Sequence, residues 1–378
     1  MKRHHAITTA VVFVILGLLV YFQFRHWRTF NWHEFWLLTS GINKWSVLAG
    51  IGLIYFVYYL RAIRWMIFLK PSHDTTVKRL LAPQVIGFTG LALLGRPGEL
   101  VRPFLIARRE NVTFSSQLAV WAVERVFDIG AVAVLLGVNL ALKGSKYRAV
   151  PQVAELGFAM LGIAAVLSIS VFLLWWRTEF ICVTLGRLIS KFSHKMAASV
   201  TVKVKSFGEG LHTIKDLRSF LSIVALSMLI WLAVAQAYIQ VLHSYPEMKV
   251  TVTRVDSDGN PLPPVMRTVR LHKMHLEDVV LVMGSSMVGS VVQLPGVGGG
   301  SQLAVIGILS SEIFRGEPYN ITPELATSCG IMLWLVTFMS VIPAGLILAH
   351  RERISLRELS AESETEAEEE NKEESSAL

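Results

Sequence analysis

Leu93-Leu94-Gly95-Arg96-Pro97-Gly98-Glu99-Leu100-Val101-Arg102-Pro103 interrupts an apolar stretch, 83–109, with a proline-glycine break and three ionisable residues. Glycine and proline stop a helix here, yet apolar residues continue on both sides. Each limb falls short of the ~20 apolar residues that a helical crossing takes. Irregular backbone at membrane depth is tolerated only where protein or a watery cavity covers it, so the stretch is expected to be a re-entrant hairpin. A second stretch, 277–314, is broken at Gln293-Leu294-Pro295-Gly296-Val297-Gly298-Gly299-Gly300 and reads the same way.

Working outward, six runs are long enough to cross hydrocarbon: 7–24, 45–69, 115–142, 156–176, 220–242 and 323–349. The chain is 53% hydrophobic and 17% charged, outside the usual balance of a water-soluble domain. Run 7–24 is followed by Arg25-His26-Trp27-Arg28 and by no small-residue cleavage site, so it reads as an uncleaved anchor. Spanning helix, broken hairpin and spanning helix recur as 45–142 and 220–349, with one crossing between them, which inverts the second copy. The fold class expected is therefore an all-α integral membrane bundle with two inverted repeats, each holding a re-entrant broken-helix hairpin. Two unrelated apolar hairpins are the blander alternative.

The parts expected are an anchor and outer loop (1–44), a first repeat (45–142), a linking crossing with a cytoplasmic amphipathic segment (143–219), a second repeat (220–349) and an acidic disordered tail (350–378). Within the second repeat, alternating Val and Thr around Asp258-Gly259 predict a small outer β-hairpin in an insertion, 247–276. With both termini cytoplasmic, inner segments carry 21 Lys and Arg against 12 outside, the direction the positive-inside rule requires. The formal charge of +8 resides in short loops between apolar runs, so a lipid surface is the expected partner and nucleic acid is not. The two cysteines, Cys182 and Cys329, lie far apart without a histidine cluster, so no metal or redox centre is expected.

Ionisable residues inside apolar runs mark the candidate site, because such residues are costly in hydrocarbon and turn toward a bundle interior or cavity. They are Arg61, Arg64, Arg96, Glu99, Arg102, Glu124, Arg125 and Asp128. A helix starting near Gly98 aims free backbone N–H groups at the break, and guanidinium groups beside it suit a phosphate. Glu99 and Arg102, three apart, equally read as a pair that only locks the hairpin. Glu124 and Asp128, four apart, read either as a cavity wall or as a network joining helices. Gly296, Gly298 and Gly299 allow close backbone approach to a headgroup, a hinge, or tight packing alone. No Lys-Ser/Thr follows these glycines, so nucleotide is not expected, and no cofactor is. Glu99, Glu124 and Asp128 are the acids in a position to carry a coupling proton.

The ordered pieces LRAIRW (60–65), GRPGELVRPF (95–104), VERVFD (123–128), FGEGL (207–211) and LPGVGGG (294–300) resemble the flippase-like transmembrane region of lysylphosphatidylglycerol synthases, which also exists as stand-alone membrane proteins. The resemblance implies an inner-membrane, multi-pass protein that handles a phospholipid or lipid-linked substrate and moves it between leaflets. The soluble aminoacyl-transfer domain of those synthases has no counterpart in 350–378, so no enzyme activity is expected. Ser301-Gln302 departs from the acidic residue often found after the second set of glycines. A non-catalytic subunit docking a glycosyltransferase or lipid-modifying enzyme remains the alternative function.

Overall fold

Helices begin where the apolar runs begin, and several starts are capped by side chains. The computed structural model describes residues 32–70, 73–143, 216–252, 265–290, 293–294 and 298–352, with single positions between 162 and 190. The expected anchor 7–24, most of the crossing 156–176, FGEGL, Gly296 and the acidic tail lie outside the described residues.

Helix α1 spans Trp32–Ser40 and α2 spans Lys44–Leu69, whose first turn is capped by Asn43 accepting from the Trp45 N–H at 3.0 Å. The sequence reading left α1 in an outer loop. It is a helix because Phe35 and Leu38 are buried against the bundle and Thr39 Oγ1 shares a hydrogen bond of 2.9 Å with Ser328 Oγ. Helix α3 spans Val77–Leu94 and stops at Gly95, whose φ of 71° suits only glycine well. A 3-10 turn, Arg96–Leu100, then reverses the chain into α4, Val101–Glu110, and α5 spans Phe114–Lys143.

Helix α6 spans Leu217–Leu242, capped by Asp216 on the Ser219 N–H at 2.7 Å. Strands β1 (Met248–Val252) and β2 (Val265–Val269) pair antiparallel with Met248 opposite Val269, which is the expected insertion hairpin. Helix α7 spans Leu276–Gly289. Two-residue strands β3 (Gln293–Leu294) and β4 (Gly298–Gly299) close the second break, and α8 spans Gly300–Leu309. The short α9 (Glu312–Arg315) precedes α10 (Pro323–Trp334), a π-helical segment (Leu335–Met339) and α11 (Val341–Arg351), which together form the last long helix.

Among the described residues, five helices are long and apolar enough to cross a membrane: Lys44–Leu69, Val77–Leu94, Phe114–Leu142, Leu217–His243 and Pro323–Arg351. The chain is an all-α polytopic membrane protein with a small antiparallel sheet. One expectation needs correcting. Each hairpin limb was expected to be too short to span, yet α3 has 18 residues and qualifies by length and composition. The hairpin nevertheless returns to the side it left, because Glu110 at the end of α4 accepts from Arg79 Nε at the start of α3 at 3.0 Å. Limb contact is backbone on backbone: a Cβ on Gly98 would overlap the Gly90 carbonyl, so glycine is required there. In the second hairpin Gly289 lies the same way against Gly300.

The repeats are inverted. Gly50 near the start of α2 packs on Val241 and Ala237 near the end of α6, while Arg64 near the end of α2 reaches Ser227 in the first half of α6. The pair is antiparallel, although each helix opens its own repeat. Exchanging the halves reproduces the packing pattern: α3 lies on α11 as α7 lies on α5, and α4 lies on α5 as α8 lies on α10. The largest core cluster, which includes Tyr58, Val85, Tyr238, Met283, Leu333 and Val336, fills the space where the two repeats interlock.

Candidate functional site

Arg61 and Arg64 stand three apart on α2, and Glu124 and Asp128 four apart on α5, so each pair occupies one helix face. The two faces meet. Arg61 Nη1 donates to Glu124 Oε1 at 3.1 Å and to Asp128 Oδ2 at 3.0 Å. Arg64 donates to Asp128 Oδ1 at 2.8 Å, to Glu124 Oε1 at 2.5 Å and to Ser227 Oγ on α6 at 2.7 Å. Arg102, from the first turn of α4, donates to both oxygens of Glu124 and to Gln84 Oε1 of α3. Its guanidinium centre lies 4.5 Å from the Trp65 ring centroid and 5.2 Å from that of Phe88. The Trp231 indole of α6 donates to Asp128 Oδ1 at 3.2 Å.

This network is buried. Arg64 and Glu124 are 0% exposed, Asp128 1% and Arg102 3%. A buried charge is tolerated only when paired and hydrogen-bonded, and all four carboxylate oxygens accept guanidinium donors. Protonating Glu124 or Asp128 would displace those donors, which argues against the proton-carrier role that the sequence reading allowed them. The network still carries a surplus of positive charge. Three guanidiniums face two carboxylates, and Arg125, next along α5, makes no ion pair among the described residues and has a buried Nε without a partner.

Beside the network lies a cavity of about 190 Å³. Arg61, Arg96, Arg125, Glu99 and Asp128 form its charged wall, all from the first repeat. Ile54, Val57, Phe88, Met283, Met287 and Phe338 give it an apolar lining drawn from both repeats, and Tyr238, Ser286 and Thr337 of the second repeat add polar groups. The hairpin tips meet at its edge: Arg96 donates to Glu99 Oε1 at 2.5 Å and to the Ser290 carbonyl, just past α7, at 2.8 Å.

The candidate residues thus separate. Arg61, Arg96, Glu99, Arg125 and Asp128 line the cavity, and Glu99, Arg102 and Arg125 line a narrow recess next to it. Arg64 and Glu124 line neither and stand behind the wall. Glu99 pairs with Arg96 rather than Arg102, because the 3-10 turn stacks residues three apart while Arg102 lies beyond its end, on α4. Gly98 serves the limb crossing, and Gly298 and Gly299 form the ladder with Gln293 and Leu294. Sequence reasoning passed over Gln84, Ser227, Trp231, Tyr238 and Ser286. Their only signal was polarity inside apolar helices, and Tyr238 donates to Ser286 Oγ at 3.0 Å beside the cavity.

No curated protein and no solved structure matches the chain. Residues 7–245 match the family model described as the lysylphosphatidylglycerol synthase TM region, a span that holds the whole charged network and stops before the second hairpin. That match covers more than half of the chain, and the protein therefore belongs to the family of the lysylphosphatidylglycerol synthase transmembrane region.

Proposed function

We propose that the protein binds an anionic lipid by its headgroup in the central cavity and passes it between leaflets without chemical change. One observation carries this reading: a cavity between the two hairpins lined both by surplus guanidinium charge and by hydrocarbon-like side chains. An unpaired cation at membrane depth is costly, and an anionic headgroup offsets it while its acyl chains meet the apolar lining. Family membership supports phospholipid handling as the setting. In this reading both termini are cytoplasmic in the cell inner membrane, 45–142 and 220–349 act as the two repeats, and the Arg64–Glu124 core holds the wall in place. Arg61, Arg96 and Arg125 meet the phosphate.

The test is reconstitution of the purified chain in liposomes carrying an anionic lipid with a fluorescent headgroup tag, followed by quenching from outside. Protein-containing vesicles should lose the inner-leaflet signal faster than empty ones, and an Arg61→Gln, Arg125→Gln double variant should not. Equal rates for empty, wild-type and variant vesicles would remove the translocation reading. Co-purification of a glycosyltransferase or lipid-modifying enzyme, unaffected by the same double variant, would then favour a docking subunit.

A further inference from the structure

We infer that the headgroup selected by this cavity is a phosphomonoester carrying two negative charges, rather than a phosphodiester or a zwitterion. The inference rests on the lipid reading above and sharpens it. Its basis is the balance of charges. Arg61, Arg64, Arg102 and Arg125 supply four positive charges, Glu124 and Asp128 two negative ones, and Arg96 with Glu99 is neutral as a pair. Lys78, Arg79, Arg108, Arg109 and Glu110 of α3 and α4 sit at the root of their hairpin, and the other described elements facing this cluster add no charge. Helix α6 carries no ionisable side chain after Arg218 except tyrosine, and the lining residues of the π segment and α11, Thr337, Phe338 and Val341, are uncharged. On α7 the acids Glu277 and Asp278 sit at the hairpin root, and Asp278 is engaged by the Tyr319 hydroxyl at 2.7 Å. Asp278 is 12 residues before Ser290, about 18 Å of helix. Among the described residues, two positive charges remain uncompensated.

A phosphodiester brings one negative charge and leaves one guanidinium unmatched. A choline or ethanolamine lipid brings its own cation and leaves the surplus as it was. A phosphomonoester, with a second pKa of about 6, brings close to two charges at neutral pH and three acceptor oxygens. Arg125 offers a guanidinium fork free of ion pairs, the geometry suited to two phosphoryl oxygens at once. Size agrees. At about 190 Å³ the space is smaller than the roughly 300–1,000 Å³ typical of small-molecule pockets, and a bare phosphate fits within it. The hydrocarbon-like lining from Ile54, Phe88, Met283 and Phe338 suits acyl chains, which favours a lipid-borne phosphate over a soluble one.

The experiment is native mass spectrometry of the full chain in detergent with equal amounts of phosphatidic acid, phosphatidylglycerol and phosphatidylcholine of matched acyl chains. At pH 7.5 the phosphatidic acid adduct should exceed the phosphatidylglycerol adduct by about tenfold or more, and a factor of ten corresponds to about 1.4 kcal/mol. Arg125→Gln should bring that ratio near unity, while Arg125→Lys keeps most of it. At pH 5, where the monoester loses a charge, the wild-type ratio should fall as well. Equal retention of the two anionic lipids, both above phosphatidylcholine, would overturn the phosphomonoester assignment and leave the anionic-lipid reading standing. No preference over phosphatidylcholine would end both. Displacement of phosphatidic acid by millimolar inorganic phosphate or glycerol 3-phosphate would keep the phosphomonoester and refute its lipid source.

Discussion

Glu124→Gln is the most informative single change in the network. The side chain is fully buried and accepts four hydrogen bonds, one each from Arg61 and Arg64 and two from Arg102. Glutamine keeps one carbonyl oxygen but sets an NH2 against a guanidinium, donor to donor, and leaves three buried arginines facing Asp128 alone. Removing one partner of a buried ion pair costs about 3–5 kcal/mol. An unfolding entropy near 2.1 cal/mol/K per residue gives about 0.8 kcal/mol/K for 378 residues. The expected fall in Tm is therefore roughly 4–6 °C, measured by intrinsic fluorescence in mild detergent at fixed protein concentration. Adding Arg102→Gln removes the donor clash, so the double variant should lose less than the two single changes together. A Tm for Glu124→Gln within about 1 °C of wild type, or strict additivity in the double variant, would refute the view that these charges hold the helices in register.

Gly98→Ala forces a methyl group into the Gly90 carbonyl; overpacking of this kind costs about 1–3 kcal/mol, so folded yield or Tm should fall. Gly130→Ala is the control: it has open space around it and gains helix propensity, so its Tm should hold or rise. Arg102→Lys forfeits the stacking on Trp65 and Phe88 and the two-pronged contact with Glu124, a loss of roughly 1.5–3 kcal/mol, and its lipid retention should fall only in step with its thermal stability. A cysteine at Ser40 should react with an impermeant maleimide on intact cells while one at Lys70 does not, in a Cys182→Ser background with the buried Cys329 kept; the opposite pattern would reverse the topology.

The break at Gly95-Arg96-Pro97-Gly98 was legible because helix breakers inside apolar sequence have few physical outcomes. The same holds for the acids and arginines of α2 and α5: expense in hydrocarbon makes their convergence predictable, and the structure brings them together. What could not be read was the pairing. Glu99 lies three residues from both Arg96 and Arg102, and the choice depends on a turn being 3-10 rather than α, a matter of hydrogen bonding below the reach of spacing. Arg102 was expected to meet phosphate, yet it is stacked between aromatic rings and bound to Glu124, because α4 folds back far enough to bury it. The length of α3 was underestimated since Pro83 was taken as a limb's start. It lies inside the helix, at its seventh residue, and α3 continues through it. Helix α1 escaped because nine residues with a two-residue buried face give little periodicity.

The backbone contact between the limbs of the first hairpin limits what that element can do. With Gly98 on Gly90, Arg102 on Gly87, and Arg79 tied to Glu110 at the root, the limbs cannot scissor. Any tilt would carry the hairpin as one body, with α3, 18 residues or about 27 Å long, as its lever arm. A tilt of about 10° about the root swings the tip by roughly 5 Å, more than enough to pull Arg96 off the Ser290 carbonyl 2.8 Å away. A small rotation at the hairpin root would thereby be amplified into a parting of the two tips at the edge of the cavity.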